Sequence, residues 1–165
     1  MPASGTLEAP DVSRAQPDDR HGICRVQKAA ITILCGTHYT LEEVEAWVGP
    51  KQPDDYLQAI NDEIVLVARD GDAIVGFGQM TKGDSRISAL YVDPNHLRGG
   101  IGSSILTRLE QEAKGLGADV VRLEAPLNAV SFCLARGFSS LGEALRTARS
   151  GVSVPCLQME KRLQD

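Results

Sequence analysis

The sequence predicts an α/β fold with a mixed, mostly antiparallel central sheet of about six to seven strands flanked by helices. Apolar residues recur at helical spacing in the first third of the chain. From Ile64 to Val92 the pattern changes to short apolar runs separated by turns. A helical stripe then leads into another strand-like run, which is the pattern of a crossover between parallel strands.

Length and composition predict one globular domain. The chain has 165 residues, of which 42% are hydrophobic and 24% charged. Its formal net charge of -5 disfavours a nucleic-acid surface, which needs clustered Lys and Arg, and mildly favours a cationic acceptor. No apolar run reaches the roughly 20 residues that span a bilayer, and the N-terminus does not resemble a signal peptide. We expect a cytoplasmic protein with a disordered tail over residues 1–10 and a single domain over residues 11–165.

The N-terminal third predicts one strand and two helices. Residues 11–15 form the candidate strand. Pro17 and the two aspartates after it are a helix-start signal, and helical spacing continues to about Cys35. Thr40 and Glu43 form a capping box that opens the second helix. The predicted apolar stripe of that helix consists of Leu41, Val44, Trp47 and Val48.

The middle of the chain predicts a three-stranded antiparallel meander. A short helical stretch over residues 54–60 precedes it. Three apolar runs follow, over residues 64–68, 73–80 and 87–92, and a turn containing Gly and Asp separates each run from the next.

A helix, a strand, a short helix and two strands complete the predicted order. Apolar residues at helical spacing extend from Ile101 to Leu116, and Gly115 and Gly117 end that helix. Because a helix precedes it, the next strand is expected to lie parallel to the strand before the helix. Asn128 is the predicted cap of the short helix. The three strands are predicted over residues 120–123, 138–146 and 152–161.

A glycine-rich turn joins the strand ending at Val92 to the following helix. Residues 98–103 have the sequence RGGIGS. The first amides of a helix have no intrahelical partner and carry partial positive charge, and glycines let an anion approach them. Ser103 adds a hydroxyl group and Arg98 a charge. A Walker loop and a dinucleotide fingerprint both fit badly, so the residues alone predict either an anion site or a plain glycine-rich helix start.

Two segments resemble hallmarks of the GNAT family of N-acetyltransferases. The segment VDPNHLRGGIGSSIL, which starts at Val92, is similar to the family's coenzyme A pyrophosphate turn. The second segment, LNAVSFCLARGF over residues 127–138, resembles the family's Asn-Ala-x-x-Phe-Tyr-x-x-x-Gly-Phe pattern. The C-terminal VPCLQMEKRL is similar to its last strand, and HYTLEEVEAW resembles a subset of small bacterial members. The resemblance covers most of residues 11–163, in family order.

The resemblance implies an N-acetyltransferase in which an amine attacks acetyl-coenzyme A directly, without a metal. It implies the GNAT-like acyl-CoA N-acyltransferase fold, with a splay between the fourth and fifth strands that admits the cofactor. The implied partners are a small-molecule or protein amine and, since dimers are common in the family, a possible second copy of the chain. The implied cofactor-binding residues are Leu90, Tyr91, Val92, Arg98, Gly99, Gly100, Ile101, Gly102, Ser103 and Asn128.

The catalytic residues depart from the family pattern. Ser88 occupies a position where many members carry a glutamate that assists amine deprotonation, so the base is open among His38, Glu124 and Glu42. Cys133 replaces a tyrosine that often protonates the departing thiolate. A thiol with a pKa near 8.5 is able to do this, and a position early in a helix is expected to lower that pKa. The alternative is that Cys133 is a small buried thiol, and that water or the acceptor returns the proton.

The same departures, at Ser88 and Cys133, favour a second hypothesis of a different class. A catalytically degenerate member that binds coenzyme A as a sensor or interaction module needs the glycine turn but no base. The acceptor itself is not revealed by the sequence. Tyr39 and Trp47 are candidates for its pocket, although Trp47 also lies on a predicted core stripe.

A zinc site is the remaining alternative for the cysteines. His21, Cys24, Cys35 and His38 have ligand-like spacing. However, Cys24 and Cys35 fall on one predicted helix, about 16 Å apart along its axis, so one tetrahedral ion cannot reach both. We expect reduced thiols and no metal.

Overall fold

The computed structural model describes residues 10–34, 36–49, 51–97, 99–147 and 151–164. The predicted tail, apart from residue 10, lies outside these ranges. The strands are β1 (Asp11–Arg14), β2 (Ile64–Asp70), β3 (Ala73–Met80), β4 (Arg86–Val92), β5 (Val120–Pro126), β6 (Ser139–Thr147) and β7 (Ser153–Arg162). The helices are α1 (Arg20–Leu34), α2 (Leu41–Val48), α3 (Leu57–Asp62), α4 (Ile101–Gly115) and α5 (Val130–Ala135).

The strands form one seven-stranded sheet in the order β1-β2-β3-β4-β5-β7-β6. Each neighbouring pair is antiparallel except β4 and β5, which are parallel and are joined through α4. The predicted fold class is therefore confirmed, including the parallel pair at the fourth and fifth strands.

Both faces of the sheet are covered. Successive residues of a strand point to opposite faces. Leu66 accordingly packs with Ile105 and Leu109 of α4, and Val67 packs with Ile23 of α1 in a second cluster. All five side chains are fully buried. The central strands are thus fixed between α4 on one side and α1 on the other.

The predicted capping box at the start of α2 is confirmed. The Glu43 amide donates to Thr40 Oγ1 at 3.1 Å, and the Thr40 amide donates to Glu43 Oε1 at 2.8 Å. The predicted apolar stripes are wrong at three residues, because Ile33 of α1 is 61% exposed, Leu41 is 73% exposed and Leu116 is 50% exposed. Helical spacing sets the direction of a side chain, but not whether another element reaches it.

Two glycines let α4 pack close to the sheet. A Cβ atom at Gly78 of β3 would lie 2.6 Å from Ile105 Cγ2, and one at Gly76 would lie 2.9 Å from Ile101 Cγ2. Only glycine permits this approach. The close packing fixes the first turn of α4 beside the end of β4.

The prediction that Asn128 caps the short helix is wrong. Asn128 lies inside a 3₁₀ turn, Leu127–Ala129, whose N-cap residue is Pro126, and α5 begins only after it. Pro126, with φ -57° and ψ 150°, is the last residue of β5, and the turn follows it directly. Among the described helices, none combines the length and apolar character needed to cross a bilayer.

Candidate active site

Strands β4 and β5 separate soon after they begin to pair. Within the described chain, parallel pairing to β5 involves only Arg86 and Ile87 of β4. On its other edge, β4 stays paired with β3 as far as Val92. From residue 88 to residue 92, the β5-facing edge of β4 therefore borders an opening. Its main-chain amide and carbonyl groups can bind a ligand there, as expected for the predicted splay.

A cavity of about 200 Å³ lies at this separation. Its wall consists of side chains from β4 and β5 together with the starts of α4 and α5. The predicted cofactor-binding residues found in the wall are Leu90, Tyr91, Val92, Gly102 and Asn128. Leu97, Phe132 and Cys133 extend the same wall, so the cavity is largely apolar.

The first turn of α4, which the sequence predicts as an anion site, lies beside this cavity. Gly100 is the N-cap residue, with a left-handed φ of +71°. The first intrahelical bond runs from the Ser104 amide to the Gly100 carbonyl at 3.0 Å. The amides of Ile101, Gly102 and Ser103 precede that bond and therefore have no intrahelical acceptor. The Ile101 side chain is buried in the core, so this residue offers only its main chain.

Arg136 supplies a positive charge at this turn, and the sequence did not single it out. Its Nε donates to Ser103 Oγ at 2.7 Å, and its guanidinium lies 3.9 Å from the centroid of the Phe132 ring. The two hydrogen-bonded residues are 33 positions apart, so no local spacing links them. Gly99 is exposed at the start of the turn, whereas Arg98 lies outside the described residues.

Glu124 lies on β5 one residue beyond the last parallel pair, and its side chain is 17% exposed. Its Oε1 is ion-paired with Arg86 Nη2, and the Cys156 thiol donates to Oε2 at 3.5 Å. Glu124 belongs to the cavity wall. The carboxylate is therefore held at the cavity by two contacts.

Cys133 also lies in the cavity wall, and its side chain is buried. Burial raises the pKa of its thiol to about 11, and the nearby Arg136 guanidinium opposes this only in part. The expectation of a lowered pKa is wrong. Loss of hydration disfavours the thiolate more than the favourable charge nearby stabilises it.

The remaining residues that the sequence analysis considered for catalysis differ in whether they line the cavity. Ser88 is in its wall, and the hydroxyl donates to the Gln79 carbonyl at 3.4 Å. His38 is exposed in the turn between α1 and α2, where its Nδ1 lies 2.9 Å from Thr37 Oγ1. Glu42 is exposed in the first turn of α2. The structure therefore does not bring His38 or Glu42 to the cavity wall.

Tyr39 connects the N-terminal helices to the far side of the opening. Its hydroxyl donates to the Pro155 carbonyl at 2.6 Å and accepts from the Leu127 amide at 2.9 Å. Its ring meets Trp47 edge-to-face at 5.6 Å between centroids. Tyr39 is buried, whereas Trp47 is half-buried. Tyr39 therefore holds α2 over the strands that follow the splay.

Metal-ligating side chains are dispersed. In the ranges that the structure describes, no group of three or more His, Cys, Asp or Glu residues is arranged to hold an ion. Cys24 lies in α1, as predicted, and is buried, while Cys35 lies outside the described residues.

Comparison with known proteins identifies the family. The family model described as an acetyltransferase (GNAT) domain matches residues 35–163. The chain belongs to the GNAT acetyltransferase family. The resemblance inferred from the glycine turn and the segment 127–138 is thus confirmed.

Individual relatives agree with this assignment. YafP of Escherichia coli K12, described as an uncharacterized N-acetyltransferase, is 28% identical over 106 residues, which are 63% of this chain and 67% of that protein. A GCN5-related N-acetyltransferase from Rhodopseudomonas palustris has a TM-score of 0.89 at 23% identity, covering 98% of this chain and 100% of that one. The PaiA N-acetyltransferase from Thermoplasma acidophilum, solved with coenzyme A, has a TM-score of 0.77 at 19% identity, covering 94% and 100%. Both solved structures share the GNAT fold with this chain.

Within this GNAT fold, two further residues near the opening were not singled out from the sequence. Arg86 reaches Glu124 from β4, and Arg146 lies in the cavity wall although it comes from β6. Neither is part of a recognisable motif. Each is brought to the opening only by the pairing of strands distant in sequence.

Proposed function

We propose that this GNAT member transfers the acetyl group of acetyl-coenzyme A to an amine by direct attack of the amine on the thioester. The observation that carries the proposal is the opening between β4 and β5, with its cavity of about 200 Å³ and the start of α4 beside it. The coenzyme A complex of PaiA, which shares the fold, is consistent with this proposal.

The residues around the opening fit the parts of the donor. The amides of Ile101, Gly102 and Ser103 suit the pyrophosphate, because they combine unpaired donors with the positive end of the helix dipole. The Arg136 guanidinium adds a charge beside them. The apolar wall and the open edge of β4 suit the pantetheine arm, which has both alkyl and amide groups.

Glu124 is the proposed general base, acting through a water molecule. Its place in the cavity wall and its two holding contacts support this role. In the reaction a bond forms between the amine nitrogen and the acetyl carbon, and the bond from that carbon to sulfur breaks. The proton lost by nitrogen passes to Glu124 and finally to the thiolate. A main-chain amide within residues 90–92 stabilises the developing oxyanion.

Cys133 is proposed as a wall residue and not as the acid. A thiol with a pKa of about 11 is a weaker acid than an ordinary thiol, so proton transfer from it to the departing thiolate is uphill. The proton that Glu124 accepts reaches the thiolate through water instead. His38 has no role in this scheme, because it lies outside the cavity wall.

A catalytically degenerate coenzyme A-binding module is the second candidate. The observations that favour it are the serine at position 88 in the cavity wall and the weak acidity of Cys133. Such a module uses the cofactor turn in the same way but has no need for Glu124.

The test is an acetyl-transfer assay with a panel of amines, in which release of the coenzyme A thiol is measured. Calorimetric titration with coenzyme A measures cofactor binding in parallel. Cofactor binding with transfer to at least one amine supports the enzyme. Binding without transfer to any amine supports the module. Absence of binding by a folded protein contradicts both.

A further inference from the structure

The cleft between β4 and β5 has two chemically different ends. Strand β4 runs towards α4, so Val92 marks the end that holds the helix amides. Ser88 lies roughly 13 Å from Val92 at about 3.3 Å per residue. We call Arg86, Ser88, Glu124 and Arg146 the acceptor wall. The four residues together line an adjoining cavity of about 220 Å³ at this second end.

Arg146 connects the two cavities. It belongs to the wall of both, although β6 is the edge strand of the sheet. Its guanidinium carbon lies 5.9 Å from the centroid of the Trp47 ring on α2. The side chain therefore extends from the sheet edge towards α2 and carries its charge along the acceptor wall.

The acceptor wall has an excess of positive charge. Glu124 is ion-paired with Arg86. In the part of the chain that the structure describes, no carboxylate forms an ion pair with Arg146. Two guanidinium groups thus face one carboxylate, and one positive charge remains at a half-buried position beside an aromatic ring. A guanidinium in such a place attracts an anionic group of a ligand.

The pKa of the Cys156 thiol reflects the same positive charge at the acceptor wall. Burial raises the pKa of its thiol, and the guanidinium groups of Arg146 and Arg86 both oppose that rise. The thiol is itself 3.5 Å from Glu124 Oε2. Both arginines therefore act at the position where Glu124 is held.

We propose that the acceptor is an amine that also carries a carboxylate, and that Arg146 binds this carboxylate while the amine lies beside Glu124. The proposal rests on the proposed acetyl transfer and names the chemical class of its acceptor. The fork of a guanidinium matches both oxygens of a carboxylate. A polyamine would place a second cation against Arg146, which is unfavourable. The acceptor wall is thus positively charged, although the whole chain has a net charge of -5.

The test compares L-amino acids with their carboxamides, which differ only in the carboxylate. We expect kcat/KM for the best amino acid to exceed that for its amide by about 10-fold to 100-fold, the range of one or two charge-assisted hydrogen bonds. The variant Arg146→Gln is expected to remove this preference, mainly by raising KM for the acid. Arg146→Lys should restore part of it. Arg162→Gln, an exposed arginine on β7, serves as the matched control and should keep the preference.

A second measurement does not depend on turnover. Trp47 is the only tryptophan in the chain and lies beside Arg146, so its fluorescence reports binding there. Titration of the coenzyme A-bound protein with the acid should change the emission at lower concentration than titration with the amide. The difference should vanish in Arg146→Gln.

The outcomes separate this inference from the proposed function. Turnover of amides as efficiently as acids overturns the inference and leaves the acetyltransferase standing. Loss of coenzyme A affinity in Arg146→Gln also overturns it, since the arginine would then belong to the donor end. A third outcome is that fluorescence detects carboxylate binding that depends on Arg146, while no amine is acetylated. That outcome would contradict the proposed function and support the anion site.

Discussion

The two ends of the cleft are built from different parts of the chain. At the donor end, the proposed phosphate site consists of consecutive main-chain amides in the first turn of α4, and a glycine with a left-handed φ begins it. At the acceptor end, the wall consists of side chains from β4, β5 and β6. The amides of this phosphate site all come from one continuous segment. The acceptor end requires four strands to pair correctly, because β7 lies between β5 and β6.

Because one end uses main-chain groups and the other uses side chains, the two ends recognise different kinds of ligand. Main-chain amides bind a phosphate whatever the neighbouring side chains are, so the donor end suits a cofactor shared by a whole family. The acceptor end depends on the charges of Arg86, Glu124 and Arg146, and a single substitution changes its preference. The following experiments disrupt one end at a time.

The largest expected effect is at the donor end, in the variant Gly100→Trp. Gly100 and Gly117 both have left-handed φ angles, +71° and +85°, and a Cβ atom at either would meet no heavy atom within 4 Å. Trp at either position should therefore impose a similar strain of about 1–2 kcal/mol. Gly100→Trp should weaken coenzyme A binding about 1000-fold, equal to two or three charge-assisted hydrogen bonds. Gly117→Trp is the control, and calorimetry with thermal unfolding measures both. Equal losses of coenzyme A affinity in the two variants would show that backbone strain, and not damage to the phosphate site, causes the loss.

The next effect concerns the acceptor end, in the variant Glu124→Gln. Removal of the base should lower kcat about 100-fold, the lower range for general base catalysis. The dissociation constant of acetyl-coenzyme A should change less than about twofold, because the donor end is intact. Glu143→Gln, an exposed carboxylate on β6, is the control. If Glu124→Gln lost cofactor affinity by as large a factor as it lost kcat, the two ends would not be independent.

Cys133 tests whether a buried thiol between the two ends takes part in the chemistry. We expect Cys133→Ala to keep kcat within about threefold of the wild type. The thiol should instead affect stability at high pH. Its pKa rises on folding from about 9 to about 11, so its contribution is complete below pH 9 and is lost as the pH rises to 11. Between these values the wild type should lose up to about 3 kcal/mol relative to Cys133→Ala, measured by urea unfolding. A large fall in kcat at neutral pH would instead make Cys133 the acid.

The smallest effect is expected for His38→Ala. The ring is exposed and hydrogen-bonded to Thr37, outside the cavity wall. We expect kcat/KM to remain within about twofold of the wild type, since an exposed substitution outside the cavity wall has little effect. A fall in kcat/KM of about tenfold or more would place His38 at the acceptor end after all.

Local sequence patterns predicted most of the fold and failed mainly where contact between distant elements decides. The capping box at Thr40, the meander and the crossover helix each follow from periodicity and turn residues that act over a few positions. Leu41 has the right spacing for a core residue, but it is exposed. Asn128 is a good cap by residue type, but Pro126 starts the turn before it. For Cys133, the position near the start of a helix predicted the wrong direction of the pKa, because burial is a tertiary property.

By itself, the sequence determined the fold class and the family, and it predicted the glycine turn at the donor end. These depend on periodicity and on a continuous glycine segment, in which each residue acts on its near neighbours. The tertiary structure alone decided that Arg136 reaches Ser103, that Arg86 holds Glu124, and that Arg146 comes from an edge strand to the acceptor wall. These contacts join residues far apart along the chain, and they form because β4 separates from β5 while β5, β7 and β6 remain paired.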